Sequence, residues 1–213
     1  MTEVSPLAPE RFPDLPPIAG VKLATAHCGI RYKSRTDLMV ALLDPGTTVA
    51  GVFTRSLTPG APVDWCRKAL PRGKARAIVV NSGNANVFTG KAGRKAAEET
   101  AKTMAKLVGC DPREVYVSST GVIGEALAYQ KVTAALPGAV AVAAADIWDQ
   151  AARAIMTTDT FPKGSVRIAR IGGVKVIVAG IAKGSGMIAR AAWSQESATA
   201  DANAPGSAAT TFW

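Results

Sequence analysis

"ARAIVVNSGNANVFTGKAGRKAAEETAKTMAKLVG", Ala75 to Gly109, changes character twice. A short apolar run, Ala77 to Val80, suits a buried strand. The Asn-, Ser- and Gly-rich residues after it predict a loop. From Lys91 onward the apolar positions fall at helical spacing, with Ala97, Ala101, Met104 and Val108 forming one stripe. Glu98 and Lys102 make a favourable i,i+4 pair on the polar side, and Gly109 supplies a stop. A strand that feeds a helix through a polar loop belongs to a protein of mixed α and β structure.

Working outward, "GVKLATAHCGI" and "DLMVALLDPGTTVAGVFT" are short β-prone stretches, the second broken by a turn at Pro45-Gly46. "REVYVSSTGVIGE" reads as a strand entering a turn. Residues 138 to 156 predict a second, alanine-rich helix. "VRIARIGGVKVIVAGIAKG" reads as two strands around Gly172-Gly173. Helices do not alternate regularly with strands, as a parallel βαβ series would require. The expected class is therefore α/β (α+β) in layers. No internal repeat is present, and low complexity begins only after about Ala189.

The 213 residues are 48% hydrophobic and 19% charged, enough to bury a core. The net charge of +9 raises the question of an acidic partner. Lys and Arg are scattered, however, with no basic stripe interleaved with aromatics, so a basic solvated surface is preferred to nucleic-acid binding. Cys28, Cys66 and Cys110 are far apart and form no C-x-x-C pair, and His27 is the one histidine. That inventory predicts no metal site and a reducing, cytoplasmic setting. The adjacent His27-Cys28 pair reads as ordinary packing rather than a thiol nucleophile. The proline-rich start, residues 1–15, reads as a flexible arm rather than a signal peptide, and no apolar run reaches membrane-spanning length.

Three polar stretches could carry chemistry. Asn81 to Asn86 offers either Asx turns or a set of uncharged ligand contacts. Ser118 to Gly124 ends a strand; its spacing favours a helix cap, with Ser119 or Thr120 capping, over an anion or oxyanion site made of backbone N–H groups. Met156 to Thr160 closes the predicted helix with three hydroxyls and a carboxylate, and Asp159 could simply stop that helix by bonding nearby N–H groups. Lys183-Gly184-Ser185-Gly186 lacks the residue order of a phosphate loop. With one histidine available, this inventory suits acyl transfer by a Thr or Ser activated by its own terminal amine.

"GVFT", "NSGNANVFTG", "SSTGVIGE", "AIMTTDT" and "AKGSGMIA", in this order, resemble the bifunctional glutamate N-acetyltransferase (ornithine acetyltransferase) family of arginine biosynthesis. The likeness spans roughly Pro16 to Ala189, so residues 16–189 are expected to form an alpha-chain-like domain. It implies a layered sandwich of mixed sheets and helices, incomplete without a second (beta) chain. The family's precursor cuts itself at an Ala-Thr bond, and the freed Thr takes acetyl from N-acetylornithine and passes it to glutamate. Some members also use acetyl-CoA as donor; no bound cofactor or metal is implied. A second chain and a homologous copy are the implied protein partners, with no nucleic acid and no membrane.

Carried over by motif, Thr120 and Gly121 would form the oxyanion hole, and Thr157 and Lys183 would contact substrate. Where the family continues to Pro and Met-Ala-Thr, this chain has Arg190-Ala191-Ala192-Trp193-Ser194. Counting without gaps puts Ser194 at the nucleophile's position, but its flanking residues do not match. Residues 190–213 read as an unrelated low-complexity tail. The expectation is an alpha-chain-like fragment that is inactive alone. The alternative is a non-catalytic half-domain that binds acidic metabolites or complements a separate second chain.

Overall fold

The computed structural model describes residues 4–6, 8–184 and 209–212, the last as backbone only. Its centre is a four-stranded sheet in the order β1 (Val21–Ala26), β2 (Leu38–Leu43), β4 (Ala77–Asn84), β5 (Val115–Val122). β1 and β4 run antiparallel to β2, whereas β4 and β5 are parallel. A parallel neighbour needs a crossover, and α2 (Gly90–Val108) supplies it. The mixed layers agree with the class expected from the sequence.

Both faces of this sheet are covered, which explains why β2 reads as a nearly continuous apolar run. Leu38 and Val40 face α2 and α3 (Tyr129–Ala141), packing with Ala101, Met104, Val132 and Leu136. Met39, Ala41 and Leu43 face the other way, toward Ala151 and Ala154 of α4 (Trp148–Ala154). α2 forms as its spacing predicts. Ala97, Ala101 and Met104 are buried, Val108 is partly buried, Lys102 pairs with Glu98 at 2.7 Å, and Gly109 ends the helix in the left-handed region.

The sheet's outer edges are closed by different means. α1 (Ala61–Ala69), which the sequence reading did not single out, lies along β5. Its Trp65 Nε1 donates to Val115 O at 2.9 Å, and its Cys66 Sγ to Val117 O at 3.2 Å. On the far edge Leu23 and Ala144 exchange backbone hydrogen bonds of 2.7 and 2.8 Å. That pairing explains a correction to the sequence reading. The alanine-rich segment 138–156 is not one helix: α3 starts earlier, at Tyr129, runs through Pro137 and stops at Ala141, and α4 starts at Trp148. Alanine favours helix by only a fraction of a kcal/mol, and the Leu23 partner at Ala144 outweighs it.

Two further strand pairs lie outside the main sheet. β3 (Thr48–Gly51) pairs in parallel with β8 (Ala209–Phe212). β6 (Lys163–Ile171) and β7 (Val174–Ala182) form the expected hairpin around Gly172-Gly173. The hairpin's base is tied to the body by Ile181 and by Phe12 packed on Gly164. Its outer half exposes apolar side chains on both faces: Ile168 is 62% exposed on one, and Val178 61% and Val174 65% on the other.

Candidate functional site

β4 and β5 continue beyond the points where composition predicts loops. β4 runs through Asn81-Ser82-Gly83-Asn84, and β5 through Ser118 to Val122. Ser82 is opposite Thr120 and Gly83 opposite Gly121, with a bulge at Asn84. No helix begins near Gly121, since α3 starts at Tyr129, so the helix-cap reading of Ser119 and Thr120 does not hold.

Gly121 has φ of +133°, and a Cβ built on it would lie 2.3 Å from the Gly83 carbonyl carbon and 2.6 Å from Asn84 N. The two backbones therefore touch where a side chain would keep them apart. The Gly121 segment is accessible at the surface, with Thr120 half-buried beside it.

The three asparagines in "NSGNAN" are buried and committed to internal bonds. Asn81 Nδ2 donates to Asn84 O at 2.9 Å, while its Oδ1 accepts from Ser119 Oγ at 2.6 Å. Asn84 Nδ2 donates to Glu125 O, and its Oδ1 accepts from Asn86 N–H. Asn86 Nδ2 donates to Gly93 O at the start of α2, and its Oδ1 accepts from the Thr89 hydroxyl. Of the two readings left open for this stretch, the geometry supports the scaffold. Its amides hold the strand ends in place rather than facing a ligand. A cavity of about 10 Å³, bordered by Asn81, Asn86, Thr100 and Ser119, lies behind them and has the size of a single water.

From this strand end a chain of contacts leads to the other candidates. Ser82, the ladder partner of Thr120, donates its hydroxyl to Ala154 O at the end of α4, at 2.8 Å. Arg35, stacked on the Tyr32 ring, donates to Met156 O. The segment "MTTDT" lies after α4 as an open loop and does not close a long helix. Within it Asp159, whose side chain is fully buried, is the centre of a cluster. Its Oδ2 accepts from Thr157 N–H at 3.2 Å, and its Oδ1 from Gly184 N–H at 2.7 Å and Lys163 Nζ at 2.8 Å. Lys183 Nζ stands 3.9 Å from Oδ2. Burial alone would raise this carboxyl's pKa. The bonds from Lys163, Gly184 and Thr157 outweigh it and hold the group below the usual carboxylate range.

Thr157 and Lys183, far apart in sequence, thus meet on one carboxylate, in the loop that follows α4, whose last residue, Ala154, accepts the Ser82 hydroxyl. Ser194 lies outside the described residues. Asp159 was read from sequence either as part of a stretch that could carry chemistry or as a helix stop bonding nearby N–H groups; nothing in a single sequence reveals that a carboxylate is buried.

The thiols do not compete as nucleophiles. Burial, with the Asp37 charge adding to it, pushes the Cys28 thiol up to about 12, and burial pushes Cys66 to about 11. His27 Nε2 is engaged with Tyr32 O at 2.9 Å. Among the described residues no group of three or more His, Cys, Asp or Glu side chains is gathered to hold a metal ion, and no helix is long and apolar enough to cross a membrane.

A mixed sheet covered by helices on both faces defines the class: a layered α/β protein. The chain overlays a crystal structure of ornithine acetyltransferase from Mycobacterium tuberculosis, solved with ornithine, with a TM-score of 0.73 at 35% identity over 81% of this chain and 92% of that one. It overlays the arginine biosynthesis bifunctional protein ArgJ of Bacillus halodurans with a TM-score of 0.76 at 32% identity, over 81% and 90% of the two chains. It is 59% identical over 186 residues to arginine biosynthesis bifunctional protein ArgJ of Rhizobium meliloti, covering 87% of this chain and 45% of the relative. The chain therefore spans about half the length of the curated relatives it matches. The ArgJ family profile matches residues 22–199, and the chain belongs to the ArgJ family.

Proposed function

We propose that this chain is the alpha-chain-like half of a glutamate N-acetyltransferase that moves acetyl from N-acetylornithine to glutamate in the cytoplasm, with acetyl-CoA as a further donor. Thr120 and Gly121 form its oxyanion hole, and Thr157 and Lys183 contact substrate. The observation that carries this reading is the meeting of Thr157 and Lys183 on Asp159, in the loop after α4. An accessible backbone segment at Gly121 and an ammonium group at Lys183 are the two elements that an acyl-transfer site for a carboxylate substrate needs.

In this reaction the hydroxyl of the threonine that opens the second chain attacks the acetyl carbonyl, and its proton passes to that residue's own amine. The carbonyl electrons move to oxygen, where donors at Thr120 and Gly121 stabilise them. Collapse breaks the carbon–nitrogen bond, the departing nitrogen takes the proton, and ornithine leaves an acetyl ester behind. The glutamate amine attacks that ester, and the bond between the acetyl carbon and the threonine oxygen breaks. The amine's proton returns to that oxygen through the terminal amine, and N-acetylglutamate leaves. Lys183 holds the substrate carboxylate as a point charge.

The second chain is part of the proposal. Two comparisons support it: the chain covers 90% or more of the solved ArgJ-type chains but 45% of the curated relative, as expected if the family works as two polypeptides. The exposed apolar hairpin supports it as well. A half-domain that only binds acidic metabolites is the second reading, favoured by the excess of ammonium groups at Asp159. Isothermal titration of N-acetylornithine and glutamate into the 213-residue chain tests the site. Both are expected to bind, and Lys183→Ala is expected to weaken them at least tenfold. Equal binding by Lys183→Ala removes Lys183 from the site.

A further inference from the structure

We infer that Asp159 is the positioning residue of this site: paired with Lys163, it fixes the Thr157 and Lys183 segments together and leaves the Lys183 ammonium to an anionic ligand. The inference rests on the substrate reading of Lys183 given above and extends it to two residues, Asp159 and Lys163, to which that reading gives no task.

The argument starts from burial. A carboxylate with no exposed side-chain surface must be compensated, because an isolated charge in a protein interior costs several kcal/mol. Asp159 is compensated from three separate segments. Thr157 N–H comes from its own loop, Lys163 Nζ from the first residue of β6, and Gly184 N–H from just beyond the end of β7. Lys163 is opposite Ala182 in the hairpin ladder, so the carboxylate lies under the hairpin's base and closes it. The residue before Gly184 is Lys183, and Thr157 itself donates one of the bonds. Both candidate substrate contacts are thereby held by the same pair of oxygens.

The two lysines are not equivalent. Lys163 Nζ makes a 2.8 Å bond to Asp159 Oδ1, donates to Phe161 O at 3.3 Å, and sits 4.5 Å from the centre of the Phe161 ring. Lys183 Nζ, at 3.9 Å from Oδ2, is beyond hydrogen-bond distance. Among the described residues one carboxylate faces two ammonium groups, which leaves a single positive charge, and the geometry assigns it to Lys183. Removing Lys163 would leave Asp159 to draw Lys183 in as its partner, in competition with any ligand carboxylate.

Two measurements on the full chain test this. In Asp159→Asn, the amide can accept only through one oxygen and brings a donor toward Lys163. Hydrogen exchange at Thr157 and Gly184 is expected to speed up together, at least tenfold, with β4, β5 and α2 unchanged; exchange at both sites equal to wild type overturns the clamp. In Lys163→Met, where Asp159 and Lys183 are intact, titration with glutamate and N-acetylornithine is expected to show at least fivefold weaker binding, restored by Lys163→Arg. Unchanged binding in Lys163→Met, or no recovery in Lys163→Arg, overturns the division of charge. Wild type that binds neither compound counts against the substrate reading of Lys183, and the exchange measurement still decides the clamp.

Discussion

A methyl group in place of the Gly121 α-hydrogen would come within 2.3 Å of the Gly83 carbonyl carbon, with no flexible side chain there to yield. The backbone conformation at +133° adds its own strain for any L residue. Gly121→Ala is therefore expected to cost about 3 kcal/mol or more. Gly46→Ala is the control: its φ is +92° but nothing lies within 4 Å of the added carbon, so about 1 kcal/mol is expected from strain alone. Thermal unfolding of both variants checks the contrast, and equal losses would contradict the close backbone approach. At this scale the site was only partly legible. Thr120, Gly121, Thr157 and Lys183 stood out through the family resemblance, since spacing alone favoured a cap over a site at Thr120. Lys163 went unnoticed, and Asp159 was noticed without its task, because their roles depend on burial and on a hairpin that returns to the loop.

Among the elements, the strongest sequence signals were those with a clear period or an unambiguous turn. α2 has its stripe, its ion pair and its glycine stop, and the β6–β7 hairpin has Gly172-Gly173. The strand ends after Val80 and Val117 were hidden because Asn, Ser and Gly signal turns, whereas here their side chains bond one another and let the ladder continue. The break between α3 and α4 was hidden because a run of alanine has no phase to read, and the partner that ends the helix is Leu23, distant in sequence. α1 gives the clearest test of an element's task. Trp65→Phe removes the indole donor from Val115 O while keeping a ring in place, so the β5 edge loses a hydrogen bond worth about 1–2 kcal/mol. Denaturant unfolding is expected to show a lower midpoint at unchanged slope. An unchanged midpoint would mean that α1 shields β5 by contact alone.

On the scale of the whole molecule, two well-covered faces of one sheet coexist with a hairpin that is not covered. A two-stranded hairpin is marginal by itself, and this one shows Ile168, Val174 and Val178 to solvent among lysines and arginines. The chain alone is expected to associate as its concentration rises in sedimentation runs, and an Ile168→Lys, Val178→Lys double variant to suppress this. A single sharp monomer for wild type at all concentrations would contradict the view that these faces await a partner.

The central claim is that this chain holds the oxyanion and carboxylate contacts of an acetyl-transfer site whose nucleophile belongs to a second chain. Its most direct test is mass-spectrometric detection of N-acetylglutamate from N-acetylornithine and glutamate. The purified 213-residue chain is assayed alone and with the C-terminal half of a full-length relative beginning at its threonine. The account predicts no product from the chain alone and product from the mixture, lost again in Lys183→Ala. N-acetylglutamate formed by the chain alone would contradict it.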